Sequence, residues 1–164
     1  MDVHKSYEKL KGSKEFVDFL EKEEGFSLVH AYLMKEYGKE ANWEFGFYHE
    51  GRDKMVVFET NPPKRTPEQD VFKKEGVVNK ISLEDVEISL DSAMEKCEEL
   101  RKEKFNSEPV TKYIAILQHL HKQLWNITLI TKAFNLINIK IDTKTGDVLS
   151  SSKSSMMDLG IRQA

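Results

Sequence analysis

Few residues in this chain have the types and spacing that chemistry needs. His119 and His121 stand two apart, where two strand-like segments meet. Residues i and i+2 of a strand point to one face, so two imidazoles there can share a metal ion. A third ligand, such as His49 or Glu50, would have to come from elsewhere in the chain. Without it the pair are solvated hairpin histidines, and no metal is assigned. Cys97 is the single cysteine, which excludes an internal disulfide. A reactive thiolate needs an exposed, electropositive setting. Cys97 instead lies on an apolar stripe beside Glu95, Glu98 and Glu99, whose charges disfavour the thiolate, so it reads as a small core residue. Glu84, Asp85, Glu87 and Asp91 form an acidic run. Paired carboxylates can do acid–base work, but negative charge at the start of a helix is also ordinary stabilisation. Trp43, Phe45 and Phe47 could stack bases, yet no arginine-rich strand accompanies them, and core packing is the simpler reading. Phosphate-loop, dinucleotide, zinc-protease, CxxC and nucleophile-elbow motifs do not occur. No catalytic residue and no cofactor is expected.

The elements that would carry these residues follow from periodicity. The first residues are polar and are expected to fray. Ser13 caps a helix with Phe16, Val17 and Leu20 at helical spacing, and Gly25 stops it. Val29, Leu33 and Tyr37, four apart, predict a second helix over residues 27–37. The period then falls to two: residues 42–48 and 54–59 read as a hairpin across the polar stretch 49–53. Residues 61–76 hold three of the four prolines and read as an irregular loop or a boundary. Residues 89–105 form the clearest helix, with Leu90, Ala93, Met94, Cys97, Leu100 and Phe105 on one stripe, Ser89 or Asp91 as cap, and 106–109 as its end. Strands follow at 110–117, 123–131, 135–142 and 147–150. Trp125, Ile127 and Leu129, like Ile137, Ile139 and Ile141, alternate with polar residues, which predicts a sheet with one dry and one wet face.

The fold class is therefore α+β, with helices packed on an antiparallel sheet. The organisation expected is a helix-plus-hairpin half over 1–76, a helix-plus-sheet half over 77–150, and a flexible tail over 151–164. Trp43-Glu44-Phe45-Gly46-Phe47 aligns in pattern with Trp125-Asn126-Ile127-Thr128-Leu129, so the two halves can be degenerate pseudo-repeats. With 164 residues, 39% hydrophobic, 32% charged and a net charge of −3, the chain is globular and unlike a dedicated nucleic-acid binder. Its longest apolar run, Tyr113–Leu117, is far short of a membrane span, and the polar N-terminus is no signal peptide. A cytoplasmic location is expected.

One module resembles part of this sequence. The stretch from Ile88 to Cys97, ISLDSAMEKC, is similar to the helix opening of a PepSY domain. Leu124-Trp125-Asn126-Ile127-Thr128-Leu129 resembles its Trp-bearing strand, and residues 139–149, with the Asp142…Gly146-Asp147-Val148 turn, resemble its closing hairpin. The resemblance spans residues 88–150 and implies a cystatin-like helix laid across an antiparallel sheet, here as a tandem pair if the halves repeat. It also implies a binding or peptidase-restraining role and brings no catalytic residues. The expected function is a non-enzymatic binding or regulatory module with a protein or peptide partner, and a homodimer through a sheet edge or face is compatible with it. The alternative is a small-ligand binder or enzyme with a pocket between helices and a curved sheet.

Overall fold

A computed structural model describes residues 2–71, 77–105 and 108–158 of the chain. Two short helices open it, α1 (Val3–Lys11) and α2 (Lys14–Lys22). The N-terminus is thus ordered rather than frayed. The Asp2 side chain caps α1 by accepting from the His4 and Lys5 amides, and Val3 and Leu10 are buried. Ser13 caps α2 as expected, its hydroxyl accepting from the Phe16 amide. The buried face of α2 is Phe16 and Phe19, whereas Val17 and Leu20 are 41% and 55% exposed.

The expected helix over 27–37 is a strand, β1 (Phe26–Glu36). Positions four apart are in phase with a period of two as well as with 3.6, so Val29 and Leu33 fit either pattern. The sheet decides, because Ala31 and Leu33 are fully buried between two neighbouring strands. Strands β2 (Glu44–His49), β3 (Lys54–Thr60), β4 (Pro63–Arg65) and the short β5 (Gln69–Asp70) follow. The stretch 61–76 therefore supplies two edge segments paired to β3, and its residues 72–76 lie outside the described residues.

A 3-10 turn (Leu83–Asp85) leads to α3 (Leu90–Leu100), capped by Ser89, whose hydroxyl accepts from the Ser92 amide at 3.1 Å. A π-helical turn (Arg101–Phe105) extends it; residues 106–107 of its expected end lie outside the described residues. Strands β6 (Val110–His119), β7 (Gln123–Thr131), β8 (Asn135–Asp142) and β9 (Val148–Ser155) complete the chain. Residues 151–155 are part of β9, paired residue by residue with β8, and so correct the expected tail. Met156 and Met157 beyond it are exposed, and residues 159–164 lie outside the described residues.

All strands join one antiparallel sheet of order β4-β3-β2-β1-β6-β7-β8-β9. The first half is two helices followed by the meander β1–β4, with β5 added beside β3; the second is α3 and its π-helical turn followed by the meander β6–β9, and the two meanders meet through their first strands, β1 and β6. The register at that junction is reciprocal. Tyr32 pairs with Ile116, and on either side Ala31 pairs with Leu117 and Leu33 with Ala115. A small residue meets a leucine on both sides of a local two-fold.

The helices all lie on one face of the sheet. Phe16 and Phe19 pack on Phe47 and Phe58, Trp43 meets Trp125 with ring centroids 6.0 Å apart, and Ala93 and Cys97 of α3 join the same core as Ile127, Ile139 and Ile141. The dry face foreseen from the alternation is this face. Among the described residues it is filled by side chains of the helices and the sheet. A buried Leu or Phe contributes roughly 1.5–3 kcal/mol, so this layer dominates stability.

Candidate functional site

Among the described residues, α1, α2 and α3 leave the opposite face of the sheet uncovered. Its positions are the alternate residues of each strand, and they are mixed in chemistry. At one end they form a groove of about 580 Å³. His30 of β1, Gln118 of β6, Asn126 of β7 and Lys140 of β8 contribute to it from four adjacent strands. Val29, Met55 and Leu120 are among its apolar lining. The chain that leads into α3 supplies one wall through Val77, Val78 and Asn79. That segment is pinned to the sheet end. The Asn79 side-chain amide donates to the His119 and Leu120 carbonyls, the Ile81 amide donates to the Leu28 carbonyl, and Ser82 and Gln123 exchange two hydrogen bonds of 2.7 and 2.9 Å.

Local rules explain the floor. Gly46 of β2 sits opposite His30, and the imidazole occupies the space where a side chain would stand: a Cβ on Gly46 would lie 2.0 Å from His30 Cε1. Glycine in a strand here marks a close approach of a neighbouring ring. Burial pushes the His30 imidazole below its ordinary pKa, so it is neutral near pH 7. On β7 and β8, Asn138 donates its side-chain amide to Asn126 Oδ1 at 2.7 Å and to Thr128 Oγ1 at 3.0 Å, and Lys140 Nζ donates to Asn138 Oδ1 at 3.4 Å. Asn126 is thereby held by its carbonyl, and its amide N–H groups are left free of hydrogen bonds to described residues. Gln118 and the His30 ring likewise make none. Among the described residues no carboxylate lines the groove. Asp142, two residues beyond Lys140, is paired with Lys122 at 2.8 Å instead.

A second concavity of about 490 Å³ lies toward the other half, lined by Tyr32, Met34, Asn61 and three carboxylates, Glu40, Glu44 and Glu59. Glu44 and Glu59 face each other across β2 and β3. Burial, and then the charge of Glu59, raises the Glu44 carboxyl above its ordinary pKa. The two grooves therefore differ in sign.

The structure separates the histidines that the sequence paired. His119 is the last residue of β6, and His121 lies in the turn before β7, so they are not i and i+2 on one strand. Both border the groove. His49 is elsewhere, stacked edge-on against Phe26 and accepting from the Arg52 amide through Nδ1 at 3.0 Å. Among the described residues no three His, Cys, Asp or Glu side chains converge on a metal position. Cys97 is fully buried, and burial together with Glu98 pushes its thiol up to about 12. Glu84, Asp85, Glu87 and Asp91 are exposed around the entry to α3 and form no pocket-facing pair. Trp43, Phe45 and Phe47 are buried, Phe45 against Tyr7 of α1, Phe47 against Phe16 of α2 and Trp43 against Trp125, out of reach of a nucleic-acid base. Among the described residues no helix is long and apolar enough to cross a membrane.

The groove residues His30, Gln118, Asn126 and Lys140 were not singled out in the sequence. The signal that marks them is Gly46 in an otherwise bulky strand, together with the polar phase of β7 and β8. No family model matches the chain, and no curated protein does. Among solved structures, a protein of Clostridium difficile 630 described as a candidate lipoprotein shares the fold, with a TM-score of 0.52 and 18% identity over 85% of this chain and 90% of that one.

Proposed function

We propose that the chain is a non-enzymatic binding module, PepSY-like and cystatin-like in each half, that acts through a protein or peptide held on the helix-free face of its sheet. The observation that carries this reading is the groove: the Asn126 N–H groups, the Gln118 side-chain amide and the His30 imidazole line it at half-buried positions without hydrogen-bond partners among the described residues. Buried polar groups are ordinarily hydrogen-bonded, and these are arranged to bond something that arrives. The repeated helix-plus-meander unit supports the tandem form of the resemblance. A peptidase-modulating role, a cytoplasmic location and a two-fold homodimer belong to the same reading.

The test is selection of peptides from a random display library on the immobilised chain, followed by amide exchange with and without a selected peptide. Protection of β1, β6 and β7 around His30, Gln118 and Asn126, and loss of binding in Gln118→Trp with an unchanged fold, is the expected result. Selected peptides that protect only the β9 edge, or that bind Gln118→Trp undiminished, would move the function off this groove.

A further inference from the structure

The groove differs in charge from the concavity lined by Glu40, Glu44 and Glu59. The protein carries a net charge of −3, yet among the described residues no Asp or Glu lines this groove and Lys140 does. The ammonium of Lys140 has one contact, the Asn138 carbonyl oxygen at 3.4 Å, and no carboxylate lies within ion-pair distance of it among the described residues. Asn138 is tied to Asn126 and Thr128, so the lysine rises from a fixed polar platform. Beside it stand the free amide N–H groups of Asn126 and the amide of Gln118, and the lining then turns apolar at Val29, Met55 and Leu120.

From this arrangement we infer that the groove takes the C-terminus of a peptide: the terminal carboxylate at Lys140 and the Asn126 amide, and an apolar last side chain against Val29, Met55 and Leu120. The inference rests on the binding reading above and names its ligand. An ammonium and an amide N–H together offer a carboxylate charge-assisted hydrogen bonds, which are shorter and stronger than neutral ones. Gln118, with one carbonyl and one NH₂, can bond both a peptide C=O and a peptide N–H. A neutral His30 adds a flat wall without a second charge to compete for the anion. The groove at Glu40, Glu44 and Glu59 would repel the same terminus, so charge selects one end of the face.

The probe is a mixture of fluorescein-labelled pentapeptides ending in Leu, made once as free acids and once as C-terminal amides, titrated by fluorescence anisotropy. The free acids should bind about tenfold more tightly than the amides. Lys140→Gln should remove that difference while leaving the amides where they were, and Lys140→Arg should restore most of it, with circular dichroism showing all three chains folded. Equal binding of acids and amides to the unaltered chain overturns the carboxylate assignment but leaves the groove a peptide site. A preference for acids that survives Lys140→Gln also overturns it, because the anion is then held elsewhere. Binding by neither set while library-selected internal peptides bind overturns the terminal assignment alone; binding by neither with no peptide selected removes the groove reading itself.

Discussion

Trp43 and Trp125 pack ring against ring, but their indole N–H groups have different fates. The Trp125 N–H donates to the Ile88 carbonyl at 2.8 Å, just before the α3 cap, whereas the buried Trp43 N–H has no partner among the described residues. Replacing each by Phe removes similar apolar volume. Only Trp125→Phe also takes a donor away from Ile88. It should therefore be the costlier of the two by about 1 kcal/mol, read from urea unfolding curves; equal costs would show that the Ile88 bond contributes nothing. Cys97 offers a second measurement. With its thiol pushed up to about 12, it should resist a thiol reagent at pH 8 in the folded chain and react quickly in urea, and equal rates would place it at the surface. Both tryptophans and Cys97 were legible in the sequence, because period and composition fix which face of an element is dry. The groove was not. Its residues are ordinary polar side chains on wet positions, and what sets them apart is the missing partner, which appears only once the strands are side by side.

At the scale of elements, β1 was hidden by the commensurability of its spacing, and α1 by a composition too polar to advertise two buried residues, Val3 and Leu10. The hairpin turn between β8 and β9 was read correctly. Its centre is Asp142, whose carboxylate accepts from the Lys144 and Thr145 amides and from Lys122, while the Gly146 amide returns to the Asp142 carbonyl. Gly146 takes φ 75°, where other residues are strained. The hydrogen bond and charge of Lys122, with the two amides, hold the Asp142 carboxyl below the usual carboxylate range. A lowered folded pKa means that the unfolded chain takes up the proton first. The stabilisation is complete above the ordinary carboxylate value of about 4 and is lost as the pH falls through the folded pKa. Asp142→Asn should therefore lower the urea midpoint clearly at pH 6, and the gap from the unaltered chain should close toward pH 2. No gap at pH 6 would mean that the turn depends on the shape of the side chain and not on its charge.

Across the whole molecule, the likeness of the halves was visible as a pattern, but their union was not, since a buried strand's sequence does not name its neighbour. The structure joins the halves where each is driest. Seven residue pairs link β1 to β6, with Ala31 against Leu117 and Leu33 against Ala115, and the two tryptophans meet beneath the seam. Neither half can leave without exposing the other's leucine and indole. Separating them would also strand the backbone donors and acceptors of a central strand, each of which costs free energy if it stays dry. The halves should for this reason unfold as one cooperative unit. Tryptophan fluorescence, which reports on the seam, and amide exchange at Val56 of β3 and Ile139 of β8, which report on the separate meanders, should give one urea midpoint. Trp125→Ala should cost about 3–5 kcal/mol and shift all three probes together. If β8 stays protected while β3 exchanges at lower urea, the seam is an interface between two independent modules, and the reciprocal register of β1 and β6 carries little of the stability assigned to it here.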